Sequence, residues 1–215
     1  MTDNAKIVLG RRQLLLGGVC LVILAGCGGL LPAPDVEQIY VLKPPAMPAQ
    51  PGPKVNWALA VTTPDANQVL DSHRIAIMRT ADTMDYYANA QWPDRLPELV
   101  ADALVRGFED SGRIDQVSRS RNSLHATYIL STDIRDFQAR YDTPDGAPTI
   151  VVTISAKLIT RKTREVVASL VARQTAPAGA NSVDGAVQAF DSALGAAVAQ
   201  IVTWALAIPI APAAS

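Results

Sequence analysis

The sequence predicts an α+β fold in which two helices pack on one face of a mainly antiparallel sheet. Three observations predict it: several apolar segments alternate with period two, two longer segments carry apolar residues at spacings of three and four, and strand-like and helix-like segments follow one another in groups. The predicted order is β-β-β-α-β-β-β-β-α. A chain of 215 residues suits one such domain, which we place at residues 55–207.

The first 26 residues are typical of a signal peptide. Arg11 and Arg12 precede an apolar run from Leu14 to Ala25, which is about 12 residues long, whereas a helix that crosses a bilayer needs roughly 20. The adjacent arginines also suit a twin-arginine signal, so the general and the twin-arginine export routes both stay open.

The end of this segment, Leu24-Ala25-Gly26-Cys27, resembles a lipobox. Small residues at Ala25 and Gly26 suit a narrow peptidase site, and the Cys27 thiol would take a diacylglycerol before cleavage frees its amine for a further acyl chain. The alternative is a plain signal peptide or a membrane anchor with an incidental cysteine. Gly28 is the residue after Cys27, at the position where inner-membrane lipoproteins of Gram-negative bacteria carry Asp. The absence of Asp at this position favours the inner leaflet of the outer membrane.

Residues 27–54 are rich in proline and alanine, which favours extended backbone. We therefore predict a tether between the acylated cysteine and the domain. The apolar piece Ile39–Leu42 interrupts it and is either a first strand or an apolar patch in the tether.

Three strands are expected before the first helix, at residues 57–61, 74–79 and 84–88. Pro93 suits the first helical position, where its missing N–H would be unpaired anyway. Gly112 is placed to end the helix after an apolar stripe that runs from Leu96 to Phe108.

Four strands are expected after this helix, at residues 113–118, 126–141, 149–160 and 165–175. In the second of them the alternation slips at Phe137, which predicts a β-bulge near Arg135-Asp136. The polar turn Arg161–Arg164 joins the last two strands into a hairpin.

The last helix is predicted from Ser182, a plausible cap, to Ala207. Its apolar residues recur at spacings of four and three, which suits either packing on its own sheet or a coiled coil, and we expect the first. Residues 208–215 are predicted to be a flexible tail.

The sequence predicts neither catalysis nor a cofactor nor a metal site. No nucleophile elbow, phosphate-binding loop or dinucleotide fingerprint occurs, and His73 and His125 have no spaced metal partner. We interpret two pairs of carboxylates as groups that solvate turns and strand edges: Asp82 with Asp85, and Asp133 with Asp136. The net charge of −1 argues against a nucleic-acid partner.

Five segments resemble the ABC-type transport auxiliary lipoproteins, which are similar to the paraquat-inducible protein C group. The resemblance extends from about Tyr40 to Ala207, and the order and spacing of the segments carry it. The segments are Leu70–Ile77, Tyr86–Pro97, Phe108–Arg113, Thr132–Phe137 and Ile154–Leu158.

This resemblance implies a non-catalytic adaptor, held to the membrane by acyl chains, in ABC-driven lipid traffic between two membranes. The family's usual companions are an ATPase, a permease and a periplasmic MCE-type (mammalian cell entry) substrate-binding protein, and a ring-shaped homo-oligomer is compatible with the family. Two alternatives stay open: a periplasmic lipid-binding carrier, and an envelope hydrolase, which the missing nucleophile and base disfavour.

We expect Cys27→Ser to release the protein from the membrane fraction, because acyl chains bind a bilayer by roughly 0.8 kcal/mol per buried methylene. Fractionation of cell envelopes, with metabolic labelling by a fatty acid, measures both effects. Cys20→Ser, in the segment that cleavage would remove, is the matched control and should leave the membrane-bound fraction unchanged. A Cys27→Ser variant that still sediments with the bilayer would contradict the lipobox.

Overall fold

A nine-stranded mixed sheet and two helices make up the part of the chain that the structure, a computed structural model, describes: residues 37–80, 82–120, 126–143 and 145–209. In chain order the elements are β1 Gln38–Ile39, β2 Leu59–Val61, β3 Asp65–Ala66, β4 Arg74–Thr80, β5 Thr83–Gln91, α1 Leu96–Asp110, β6 Val117–Arg119, β7 Tyr128–Arg140, β8 Thr149–Thr160, β9 Val166–Pro177 and α2 Val183–Ala207.

The long strand β7 organises the sheet. One of its edges pairs with β8 in antiparallel register along its whole length. Its other edge pairs in succession with β2, β3 and β4, all three parallel to it. Beyond these, β6 continues the sheet from β2, and β5 and then β1 continue it from β4. The strand β9 pairs with β8 and ends the sheet on the far side.

The α+β class is confirmed, but the predicted element order is wrong. Five strands precede α1 instead of three, because the structure has the short strands β1 and β3 as well. The sheet is mostly antiparallel, as expected, but it also contains five short parallel strand pairs. A strand of two or three residues is too short to show alternation, and partners such as Asp65 and Asp133 lie far apart in sequence.

The predicted bulge and the predicted hairpin are both confirmed. Ile134 pairs with Ile154, and the next pair joins Asp136 to Thr153, so Arg135 is the extra residue of β7. The strands β8 and β9 form the antiparallel hairpin, and Arg164 in its turn adopts a φ of 64°.

The helix α1 begins at Leu96, three residues after the position we predicted. Trp92 donates its N–H to the His73 carbonyl (2.7 Å), and Leu96 donates to the Ser72 carbonyl (3.0 Å). These bonds hold the intervening residues against the start of β4, so a tertiary contact overrides the local preference of Pro93. Gly112, with a φ of 67°, follows the helix end as predicted.

The helix α2 lies on β8 and β9 and also contacts α1. The Ser182 side chain accepts a hydrogen bond from the Gly185 N–H (3.1 Å), which confirms the predicted cap. By length and composition alone α2 could cross a membrane, yet 56% of its most apolar window is buried within the protein. Its apolar character is therefore explained by the core that it covers.

Three aromatic side chains join the sheet to both helical segments. Phe137 of β7 stacks on Phe190 of α2 with 4.8 Å between ring centroids, and Trp92, just before α1, meets Phe190 edge-on at 5.5 Å. All three side chains are at most 1% exposed. The core between sheet and helices is thus filled by ring contacts and by small residues that let the backbones approach.

The contact between α1 and α2 requires a glycine. A Cβ placed on Gly107 would lie 2.4 Å from the nearest Val198 methyl carbon. We expect Gly107→Ala to lower the free energy of unfolding by roughly 1–3 kcal/mol, because overpacking outweighs the gain in helix propensity. Urea unfolding of this variant, of Val198→Ala and of the double variant tests the contact.

The double variant should lose less stability than the sum of the two single losses, since Val198→Ala removes the methyl groups that clash. Strict additivity would contradict the proposed close approach of the two helices.

Candidate anchoring and docking site

The residues that the sequence predicts for lipid attachment and export lie outside the described part of the chain. They are Cys27 as the attachment site and Arg11, Arg12, Leu24, Ala25 and Gly26 as the signal. The geometry of the site therefore begins at Glu37, where the described chain starts.

The first described residues run along an edge of the sheet. Gln38 and Ile39 pair in parallel with the end of β5, and Tyr40 donates its N–H to the Gln91 carbonyl (2.8 Å). Ile39 and Val41 are 59% and 51% exposed, while Tyr40 packs against the core. Of the two interpretations left open for residues 39–42, the strand is confirmed only at its start, because β1 ends at Ile39. Ile39 and Val41 form one exposed apolar row.

The chain then crosses both helices. Lys43 donates its backbone N–H to an Asp191 carboxylate oxygen on α2 (2.6 Å), and the Gln50 side-chain amide donates to the Thr203 hydroxyl (2.5 Å). The Gln50 N–H also bonds to the Ser111 carbonyl at the end of α1 (3.1 Å). Met47 is 9% exposed between these points.

Residues 40–50, inside the segment predicted as a tether, are thus bonded to the folded body. Proline content favours extended backbone, but it does not distinguish a solvated chain from one laid on a surface. The available signal was the apolar side chains of Leu42 and Met47, both of which are buried.

A groove of about 410 Å³ lies between this segment and the two helices. Its walls are mainly apolar, with the Lys43, Arg106 and Asp110 side chains among the lining. The other lining residues are Val41, Leu42, Pro44, Pro45, Ala46, Met47, Ala103, Gly107, Gly195 and Val198. This volume lies at the lower end of the range for small-molecule sites, about 300–1,000 Å³.

Two partly buried tyrosine hydroxyls connect β5 and the end of β7 to the start of α2. The Tyr87 and Tyr141 hydroxyls lie 2.8 Å apart, and Tyr141 donates to the Asn181 side-chain oxygen (3.2 Å). Burial, with the bond to Tyr141, raises the pKa of Tyr87 well above its usual value. Because its pKa is raised, the Tyr87 hydroxyl stays protonated and serves as a hydrogen-bonding link between elements.

Several charged side chains also have structural partners. Arg119 of β6 binds Glu98 and Asp102 of α1, the latter at 2.7 Å. Asp133 pairs with Arg135 (3.4 Å), while Asp136 accepts a hydrogen bond from Gln138.

The residues considered for acid–base or metal chemistry that the structure describes form no cluster that could hold a metal ion. Asp85 accepts from the N–H of Tyr86, and His73 is exposed at the start of β4. His125 lies outside the described residues. Within the described ranges, no three His, Cys, Asp or Glu side chains are grouped to hold a metal ion.

These features define a two-layer α+β domain whose described polar clusters fasten its elements to one another. The chain belongs to the family of ABC-type transport auxiliary lipoprotein components, whose family model matches residues 40–202. The match includes the segment laid over the helices, so this segment is part of the family's domain.

Solved structures share the fold. A protein of Xanthomonas campestris is 30% identical, with a TM-score of 0.73 over 79% of this chain and 94% of that one. An uncharacterised protein, 15% identical, has a TM-score of 0.64 over 80% of this chain and 99% of that one.

A curated relative, an uncharacterised protein of Bradyrhizobium diazoefficiens, is 26% identical over 196 residues. The alignment takes in 91% of this chain but only 52% of the relative, so the chain spans about half the length of that protein.

The contact between Lys43 and Asp191 should depend on pH. Burial raises the pKa of Asp191 above its usual value, and the Lys43 backbone bond only partly offsets this. The folded state therefore favours the protonated carboxyl of Asp191. Its contribution to the free energy of unfolding is fully present below the pKa of an unfolded Asp, about 3.9. It is lost as the pH rises through the higher pKa of the folded state.

Asp191→Asn keeps an acceptor for the Lys43 N–H and removes the titration. We expect the stability of the wild type relative to this variant to fall between pH 3 and pH 7, as measured by urea unfolding at several pH values. A relative stability that instead rises with pH would show that the folded state favours the charged carboxylate.

Proposed function

We propose that this chain is a lipid-anchored, periplasm-facing accessory component of an ABC-type, MCE-linked system for lipid transport between membranes. In this proposal Cys27 carries the acyl chains, the inner leaflet of the outer membrane holds them, and the domain acts as a non-catalytic adaptor. The single observation that supports it most is the family match over residues 40–202, which contains nearly all of the described fold.

The structure is compatible with an adaptor for a physical reason. The inward-facing apolar side chains form one buried cluster, and polar pairs such as Arg119 with Glu98 and Tyr87 with Tyr141 connect elements of the fold. The domain can contact other molecules through its surface, which includes the exposed apolar row at Ile39 and Val41. An anchored domain needs only weak contacts, because confinement to a membrane raises its local concentration near a partner held there.

The bonded segment limits how far the domain can reach. Ten backbone steps separate Cys27 from Glu37, roughly 35 Å when fully extended. With Cys27 as the anchor, the partner must therefore present its docking site close to the same membrane. An MCE-type protein that extends through the periplasm would meet this condition.

The groove favours a second candidate, a periplasmic lipid carrier. Its apolar walls suit an acyl chain, and Lys43 and Arg106 at its lining suit an anionic head group. Against this, the alanines of α2 that permit a cavity are used for close packing, since Ala186, Ala193 and Ala197 are at most 2% exposed.

The experiment is an affinity capture of the full chain from detergent-solubilised envelopes, with partners quantified by mass spectrometry. We expect enrichment of an ABC ATPase, a permease and an MCE-type protein. The control joins residues 1–36 of this chain to an unrelated periplasmic domain, so that proteins held only through the anchor appear in both samples.

Recovery of the same proteins with the control, or of unrelated proteins alone, would contradict the adaptor. Native mass spectrometry of the same purified chain distinguishes the second candidate, since a carrier retains phospholipid in a fixed ratio to protein and an adaptor with a filled core does not.

A further inference from the structure

The hairpin tip that joins β8 to β9 concentrates positive charge. Three of the four residues Arg161–Arg164 are basic, and Glu165 is the acidic residue beside them, in a chain whose net charge is −1. All residues from 161 to 167 are exposed. Neither the Lys162 nor the Arg164 side chain has an ion-pair or hydrogen-bond partner within the described residues. Both charges are therefore available to a partner outside the domain.

Exposed apolar side chains lie directly beside this charge. Val166 and Val167 are 55% and 39% exposed, which makes them two of the five large hydrophobic side chains exposed on the described surface. The pairing of β9 with β8 passes from Val166 to Ala168, so Val167 is the extra residue of a β-bulge, a feature that can redirect a side chain. Basic residues next to exposed apolar ones suit the boundary between water and an anionic bilayer.

Hydrogen bonds within the turn hold the tip in one conformation. The Thr160 N–H donates to the Glu165 carbonyl (2.9 Å), and the Arg164 N–H donates to the Thr160 carbonyl (2.9 Å). The Thr163 hydroxyl donates to the Glu165 carboxylate (3.0 Å), so the one acidic group of the tip is bound within the turn. Because the backbone is already ordered, docking of the tip costs little further conformational entropy.

The tip and the predicted anchor can reach the same membrane. The Arg161 N–H donates to the Thr127 carbonyl (3.0 Å), which places the tip at the start of β7. Glu37 lies near the level of the other end of β7, since β1 is joined through β5 to β4, and β4 pairs with the last residues of β7. About nine residues of strand, roughly 30 Å, separate the two levels. Ten extended backbone steps from Cys27 to Glu37 span roughly 35 Å, so this separation can be bridged.

We propose that the hairpin tip, residues 161–167, contacts the surface of an anionic lipid bilayer through Lys162, Arg164 and the two valines. This inference deepens the proposed function and rests on its acyl anchor at Cys27: the anchor holds the chain at the membrane, and the tip sets the orientation of the domain there. Attraction between a basic residue and an anionic surface acts within a Debye length, about 8 Å at physiological ionic strength.

The tip does not replace the anchor. Its few charges give a weak contact that becomes effective because the acyl chains confine the tip near the bilayer. The expected release of Cys27→Ser from the membrane fraction is therefore unchanged.

Fluorescence quenching in vesicles measures how close the tip lies to the bilayer. The acylated full chain with Thr163→Cys carries an environment-sensitive dye on the new thiol, and the vesicles contain lipids with spin-labelled head groups. We expect strong quenching in vesicles of phosphatidylglycerol and phosphatidylcholine in equal parts, and several-fold weaker quenching in phosphatidylcholine alone or at high salt. The matched control is Ala147→Cys, in the exposed loop at the opposite end of β8, which should stay unquenched in both.

Charge reversal tests whether the tip itself is attracted. Lys162→Glu, in the chain labelled at Thr163→Cys, should weaken quenching several-fold, because it places a negative charge at the anionic surface. Lys157→Glu changes the net charge equally, but Lys157 lies five residues back along the hairpin, roughly 15 Å away and beyond a Debye length. It should have little effect. Equal effects of the two variants would show that net charge alone governs the approach, which would overturn the proposal.

A valine substitution tests the apolar part of the contact. Val166→Ser should weaken quenching of the tip dye, because it removes an exposed apolar group from the proposed contact. Val171→Ser is the matched control, since Val171 is a similarly exposed valine of β9 (47%) that lies farther from the tip. Equal losses from both variants would contradict a contact made by the tip.

Flotation of the same vesicles separates this inference from the proposed function. A labelled chain that does not float with the vesicles contradicts the acyl anchor and, with it, this orientation. A chain that floats with an unquenched tip overturns this inference alone. Shielding of the tip dye only after solubilised envelope proteins are added would assign the tip to an acidic protein surface and would also overturn it.

Discussion

The bulge at Arg135 sets the phase of the central strand, and the rest of the fold depends on that phase. Before it, Ile134 faces the core; after it, Phe137 does so as well, although the two residues are three apart. Without the extra residue Phe137 would point away from the helices. Its stack on Phe190 would then be lost, together with the edge contact that Trp92 makes with the same ring. Such ring contacts are each worth about 0.5–1.5 kcal/mol beyond the area that they bury.

The features that could be predicted from sequence are those decided by neighbouring residues. The bulge is visible as a slip in alternation, the cap at Ser182 as a hydroxyl before an apolar stripe, and the helix end as Gly112. The features that could not be predicted depend on distant partners. β3 is a strand only because β7 lies beside it, and Pro93 stays outside α1 because Trp92 bonds back to His73.

The same distinction between local and distant determinants applies to the candidate site. Lipid attachment at Cys27 is predicted by a short contiguous pattern, whereas the course of residues 40–50 depends on where two helices lie. Extended, proline-rich backbone leaves its N–H and C=O groups free, and here several of them bond to the folded body, as the Lys43 N–H does to Asp191. The same composition would serve a solvated chain, so only the buried positions of Leu42 and Met47 distinguish the two.

The segment from Glu37 to Gln50 therefore couples three parts of the molecule. Its first residues extend the sheet beside β5, its middle lines the groove, and its end bonds to Thr203 and Ser111 on the two helices. The exposed side chains of Ile39 and Val41 belong to the same stretch of backbone that covers the helices. In sequence this stretch follows the predicted anchor at Cys27, so attachment to a membrane would act on one continuous, bonded element.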